Sequence, residues 1–384
     1  MTGRCCRTVR GPVRRALTLG LSLGMAVLML ACSSTDKPKP AALQAFEARI
    51  AGRQVWQARV QGLDAGLAVT VRQDTAFVAG QDGTVIALAT DSGGERWRAS
   101  AGAPLSAGVG SDGRIAAVVT RDNEVVTFDA GRPGWRKRLA VKVVTPPLVA
   151  GERVFVLAVD RSVHAFDALD GRPLWRLQRP GDALTLAQPG VLSPFGNTLL
   201  VGQGSRLTAL DPLKGSVLWD LAMATPRGSN EVERLADLVG PAARLGDRVC
   251  ARAFQSAVAC ADARTGALLW SRNAGGTHAV AGDADRVIGA DASDRIAAWR
   301  SGGGELAWTN ESLLHRGLSG ALVAGPAVVF GDQEGQVHFL SVADGSPLLR
   351  LPTDSSAVVG TPVLAGTTVI VTTRAGGIFA FRPN

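Results

Sequence analysis

Four histidines and five cysteines carry the widest chemical range in this 384-residue chain. Metal binding would need several of them at short fixed spacing, and nucleophilic catalysis would need one beside a base. Neither pattern occurs. His164, His278, His315 and His338 lie far apart, and HExxH, GxSxG and CxxC are all absent. His164 and His338 fall at equivalent places in a repeated pattern, as packed or rim histidines would. Gly108-Val-Gly110-Ser-Asp-Gly113 satisfies GxGxxG, but it stands between two short strand-like runs with no helix after it to aim N–H groups at a phosphate. Acidic residues mostly adjoin glycine, as in Asp82-Gly83, Asp112-Gly113, Asp170-Gly171 and Asp344-Gly345, where a carboxylate bonding the backbone of its own turn accounts for them. No catalytic residue, no cofactor and no metal ligand is expected.

The cysteine with the clearest chemistry is Cys32. Arg4, Arg7, Arg10, Arg14 and Arg15 precede an apolar stretch, residues 16–31, of the length of a signal-peptide core rather than a bilayer span. Leu28-Met29-Leu30-Ala31-Cys32 then resembles a bacterial lipobox, with Met29 where leucine is more usual. That resemblance implies cleavage before Cys32 and its acylation. Each buried methylene contributes about 0.8 kcal/mol, so two or three acyl chains on one residue hold a protein stably on a membrane. Ser33 in place of Asp after the cysteine implies the outer membrane as destination. Removing the five leader arginines from 41 basic residues leaves 36 against 33 acidic ones, and without clustered Lys/Arg and aromatic platforms nucleic-acid binding is not expected. Cys5 and Cys6 leave with the leader. Cys250 and Cys260 flank the turn of one predicted hairpin at equal distance from Gln255, where a cross-strand disulfide and two buried free thiols both fit.

What positions these residues is a repeat. Gly93/Trp97, Gly131/Trp135, Gly171/Trp175, Gly215/Trp219, Gly266/Trp270 and Gly304/Trp308 share a four-residue offset, and Gly345/Leu349 is a seventh copy with leucine in the tryptophan slot. Asp167, Asp211 and Asp262 precede their glycines by four residues, Asp129 does so in a turn contracted by two, and Ala89 and Arg300 replace the aspartate. A period of roughly 40 residues holding several short β-branched strands marks the blades of a β-propeller. Trp56 has no three strands before it, while the last three strands of the chain lack a fourth. Joining them closes a ring of eight four-stranded antiparallel blades with no open edge. The expected organisation is a signal peptide at 1–31, a lipidated tether at 32–49 and an eight-bladed all-β propeller at 50–384. One connection is long: residues 224–240 carry a capping-box-like Asn230-Glu-Val-Glu233 and a helical spacing of Val232, Leu235 and Leu238.

The repeat resembles that of pyrroloquinoline-quinone dehydrogenases, which are tryptophan-marked eight-bladed propellers. Their activity needs a vicinal cysteine pair beside the quinone, a calcium site and a catalytic aspartate, whereas the adjacent pair here, Cys5-Cys6, lies in the leader. With the lipobox and the long excursion, the whole mature chain is similar to the BamB family, lipoprotein subunits of the β-barrel assembly (Bam) machinery of Gram-negative outer membranes. Residues 231–237, containing Arg234 and Asp237, are similar to that family's EIDRLSD; Leu313-Leu-His315-Arg316 and Gly331-Asp-Gln-Glu-Gly335 are similar to its LLHR and GDxEG. The resemblance implies a non-enzymatic scaffold whose partners are the POTRA domains of BamA and other Bam subunits. It also implies partner contacts at Leu184, Leu186, Arg234 and Asp237, since Leu184-Thr-Leu186 stands at the family's Leu-Thr-Leu-Arg loop. Ala187 replaces that loop's arginine, and Val239 the second acidic residue. A periplasmic propeller that binds unfolded outer-membrane protein strands directly, and a quinone-dependent dehydrogenase-like enzyme, are the alternatives.

Overall fold

The computed structural model describes residues 38–63, 66–67, 69–179 and 184–383, and Cys32 with the whole leader lies outside them. Everything from Pro40 onward packs as one unit. The described residues form eight four-stranded antiparallel sheets and no helix. Seven blades are consecutive in the chain, at 70–100, 105–138, 148–177, 192–222, 238–273, 281–310 and 322–352. Blade eight takes its inner strands from Val358–Ala365, Thr368–Thr373 and Gly377–Pro383 and its outer strand from Gly52–Arg59. The two ends of the chain pair from Gly52↔Pro383 to Arg59↔Gly377, which is the closure expected from Trp56.

Within a blade, the second and third strands are buried on both faces between neighbouring sheets. Thr75–Ala79 and Ile115–Thr120 are buried throughout, so both faces carry small, β-branched or aromatic residues and no polar alternation shows. Fourth strands are half exposed, as in Glu95–Ser100. Because strand direction alternates, loops entering a first strand and turns between second and third strands share one face, here the upper; the Asp-x3-Gly turns lie on the lower face.

The repeated glycine and tryptophan belong to different blades. A Cβ on Gly171 would lie 2.5 Å from the ring of Trp135, one blade earlier, and Gly93, Gly131, Gly215, Gly266, Gly304 and Gly345 face Trp56, Trp97, Trp175, Trp219, Trp270 and Trp308 in the same way. Five of these indoles also donate to a carbonyl of the next blade three residues before its glycine: Trp56 to Thr90 (2.9 Å), Trp135 to Ala168 (3.0 Å), Trp175 to Pro212 (3.0 Å), Trp270 to Ser301 (2.8 Å) and Trp308 to Val342 (3.0 Å). Gly171 also has φ +72°, so the turn and the joint demand glycine independently. Asp167 serves the turn, accepting from the N–H of Leu169 at 2.9 Å. The eighth joint is the odd one, with Leu349 of blade seven meeting Gly52 of blade eight.

Residues 41–49, expected from sequence to be part of a tether, are docked on the ring. From Ala41 the chain lies on blade seven: Ala41 N–H donates to Leu314 O and Arg49 N–H to Leu348 O, both at 2.9 Å. Leu43 packs on the core shared by blades six and seven, and Ile50 on that of blades seven and eight. The guanidinium of Arg350 bonds Gln44 O at 3.2 Å and stands 5.1 Å from the Phe46 ring centroid. Residues 41–50 are thus a strap down the outer edge of blade seven, and its large apolar residues, Leu43, Phe46 and Ile50, are half-buried at a spacing with no strand alternation to announce it.

Deleting residues 33–60 removes the fourth strand of blade eight and its joint to Gly93, and is expected to lower the melting temperature by more than about 5 °C or prevent folding. Deleting 33–40 is expected to leave it unchanged, with 33–50 falling between. Equal melting of the three truncations would contradict closure by this strand.

Candidate partner-binding surface

Leu184, Leu186, Arg234 and Asp237 meet on the upper face. The loop before blade four and the excursion before blade five are both connections from an outer strand to the next inner strand, which sets them side by side. Leu186 N–H donates to Asp237 Oδ2 at 2.8 Å across 51 residues of sequence. Behind it, Gly240 N–H donates to Pro189 O at 3.0 Å and Gly190 bridges to Val239. A Cβ on Gly240 would collide with the Gly190 carbonyl, so glycine there permits the two loops to touch. Leu184, Glu231, Arg234 and Asp237 line one hollow of about 200 Å³, together with Arg161, Arg179 and Arg206.

This geometry changes the parts that two residues play. Asp237, read from sequence as a polar rim contact, spends one carboxylate oxygen positioning the leucine loop. Arg179 and Arg206 are held by Asp220 at 2.7 and 2.8 Å. Burial alone would raise the Asp220 carboxyl, but hydrogen bonds from Arg179, Thr208 and Arg206 hold it below the usual carboxylate range. The Arg234 backbone N–H donates to Asn230 O at 3.2 Å, while its guanidinium makes no ion pair or side-chain hydrogen bond among the described residues, which leaves a cation beside the leucine loop. Leu184 is 36% exposed, and neither leucine belongs to the inner strand, which begins at Leu192.

The helical reading of the excursion is corrected. Asn230 Oδ1 does accept from Glu233 N–H at 2.9 Å, and the Glu233 carboxylate reaches back to Ser229 N–H at 2.8 Å, but the result is a single turn. Val232 points to solvent at 69% exposure, while Leu238 is claimed by blade five, paired with Ala253. The sheet takes the third position of the apolar spacing before a second helical turn can form.

Of the GxGxxG glycines, Gly110 has a packing role, pressed against the Pro147 carbonyl of the next blade's inner edge, and Gly113 takes a turn conformation with φ +112°. Among the described residues no three His, Cys, Asp or Glu side chains gather as a metal site. Cys250 and Cys260 face each other on the second and third strands of blade five, fully buried, with Cα atoms 4.0 Å apart and their sulfurs joined.

The family profile described as outer membrane protein assembly factor BamB matches residues 41–105, 81–310 and 302–383. A Bordetella pertussis protein of that name is 34% identical over 97% of both chains. The chain belongs to the BamB family. The crystal structure of BamB from Moraxella catarrhalis shares the fold with a TM-score of 0.78 at 24% identity, covering 86% of this chain and 100% of that one. Quinohemoprotein alcohol dehydrogenase from Comamonas testosteroni shares it more distantly, with a TM-score of 0.67 at 15% identity over 86% of this chain and 76% of that one.

The stretches similar to the BamB motifs LLHR and GDxEG form a buried polar cluster in blade seven. Arg316 Nε donates to Asp332 Oδ2 at 2.8 Å, its Nη2 meets Glu334, and its Nη1 donates to Ala41 O at 2.9 Å. His338 Nε2 lies 2.9 Å from Asp332 Oδ2, and Arg350 Nε donates to His338 Nδ1 at 3.4 Å. The motifs therefore hold the strap to the ring. Blade five has a counterpart with no sequence signal. Arg252, completely buried, donates to the carbonyls of His278, Ala274, Gly275 and Ala290 and so ties blade five to blade six. Burial pushes its guanidinium down to about 10, still charged at neutral pH.

Burial is also the main influence on His338 and pushes its imidazole below the ordinary value of 6.5, against the pull of Asp332. Below about pH 6.5 the unfolded chain takes up a proton that the folded one refuses, so stability falls as pH drops toward the folded value, by at most about 1.4 kcal/mol per pH unit. His338→Gln, which keeps a donor for Asp332, is expected to show a shallower loss of melting temperature than the parent between pH 7.5 and 5.5. Identical slopes would mean that His338 protonates as freely in the fold as outside it.

Proposed function

We propose that this protein is a non-enzymatic assembly factor of the Bam machinery, anchored to the periplasmic face of the outer membrane through acylated Cys32, that binds the POTRA domains of BamA with the upper face of blades three to five. Family membership supports the assembly role. The observation that carries the site is the bond from Leu186 N–H to Asp237, which fixes an exposed leucine loop beside the Arg234 turn. Apolar side chains flanked by an available cation suit a polar-rimmed protein interface. Other Bam subunits are its expected neighbours, and the central channel, a space of about 530 Å³ lined by residues such as Arg72, Leu192, Arg244 and Leu364, is not the contact.

Leu184→Ala with Leu186→Ala is expected to cut recovery of BamA from native membranes at least tenfold, equivalent to about 1.4 kcal/mol or more, with melting unchanged. Asp237→Ala is expected to weaken recovery and Asp237→Asn, which keeps the acceptor, to spare it; equal loss in both would make the charge a direct contact instead. Unfolding of the leucine variant would place those residues in the core and remove the site. Cys32→Ser is expected to abolish palmitate incorporation, and continued labelling would sink the anchor.

A further inference from the structure

The polar cluster behind the strap is electrically balanced only while His338 is neutral. Arg316 and Arg350 stand against Asp332 and Glu334, and His338 lies between Asp332 and Arg350 with both ring nitrogens in use. The carboxylate of Asp332 can only accept a hydrogen bond, so Nε2 of the imidazole carries the proton; the guanidinium of Arg350 can only donate, so Nδ1 is bare. The neighbouring acids are engaged elsewhere. Asp294 accepts from the N–H groups of Gly317 and Leu318, and Glu311 is held by Arg295 at 2.8 Å. On the strap itself Glu47 is exposed, and Arg49 donates to Ser346 Oγ at 2.8 Å.

A proton added to Nδ1 breaks this arrangement in two ways. It sets two donors, Nδ1–H and Arg350 Nε–H, face to face, and it leaves three cations against two carboxylates where Asp332, Arg316 and His338 are sealed from water. Of the three cations, Arg350 alone is half-buried, on the outer strand Pro347–Pro352, and so has a way out to solvent. Arg350 is also the residue that grips the middle of the strap, through Gln44 O and the ring of Phe46. The ends are held by other groups, Ala41 by Leu314 O and Arg316, and Arg49 by Leu348 O and Ser346.

We propose that His338 makes the strap a proton-sensitive latch: with the imidazole neutral, Arg350 clasps residues 42–48 against blade seven, and with it protonated Arg350 turns out to water and that stretch comes away while the ring stays closed through Gly52–Arg59. Acid thereby loosens the segment between Cys32 and the ring and leaves the leucine loop as it is. Such local release exchanges the few contacts of one arginine for water, whereas global unfolding must open the whole ring. Burial resists charging the imidazole and places the change below its ordinary value of 6.5.

The test uses the full mature protein in detergent, with Ala48→Cys, an exposed strap position, carrying a nitroxide spin label and the parent chain treated in parallel as background. A label at Leu169→Cys, on an exposed lower-face turn of blade three, reports the ring. Each pH unit shifts a one-proton equilibrium by up to about tenfold, so lowering the pH from 7.5 to 5.0 is expected to raise the mobile fraction at 48 by about fivefold or more and to leave 169 unchanged. His338→Gln, whose amide can donate to Asp332 and accept from Arg350 but cannot take a charge, is expected to keep 48 immobile at both pH values. Arg350→Met, which cannot clasp the strap, is expected to make it mobile at both. An unchanged label at 48 in the otherwise parental chain, the same acid response in His338→Gln, an immobile label in Arg350→Met, or mobility appearing at 48 and 169 together would each overturn the latch.

Discussion

The packing of each outer-strand aromatic onto a Cβ-free position in the next blade is the constraint on which the ring depends. A four-stranded blade has two apolar faces and cannot bury either alone, so every blade needs both neighbours. The indole supplies area and one directed N–H, and the glycine supplies the absence of a side chain where the ring must lie. A chain of such joints is cooperative only when it closes. Closure here comes from Trp56 meeting Gly93 and Leu349 meeting Gly52, both dependent on the strand Gly52–Arg59 that the chain lays down first and pairs last.

The repeat makes most of this legible in the amino-acid sequence. Glycine and tryptophan at constant offset, with aspartate before them, set the blade number, the boundaries and the closing strand. What the offset concealed was that the two residues serve different blades, since spacing along a chain cannot tell a contact within a turn from one across a joint. The strap was hidden for a related reason. Residues 41–50 hold four alanines among three polar residues and form no regular strand, so their pattern has no strand period to distinguish a docked segment from a free tether. Arg252 was hidden because a buried arginine satisfied by four carbonyls looks, in sequence, like any arginine at an alternating strand position.

The candidate surface was legible only in part. Resemblance brought Leu184, Leu186, Arg234 and Asp237 forward, and the fold brings them together, but only the geometry separates their work. Asp237 fixes the leucine loop, the Arg234 guanidinium has no ion pair among the described residues, and the buried cluster of Arg316, Asp332 and His338 holds the start of the strap against the upper face. The surfaces of the ring are thereby divided by direction. Loops on the upper face lie outside the packing between blades, and blade seven carries the chain's own amino-terminal segment.

The most direct measurement of the central claim is site-specific photocrosslinking in living cells from residue 186, beside a control at Leu364 in the channel. A crosslink to BamA from 186 and none from 364 is expected. BamA captured equally from both positions, or from 364 alone, would contradict a partner site built on the upper-face loops.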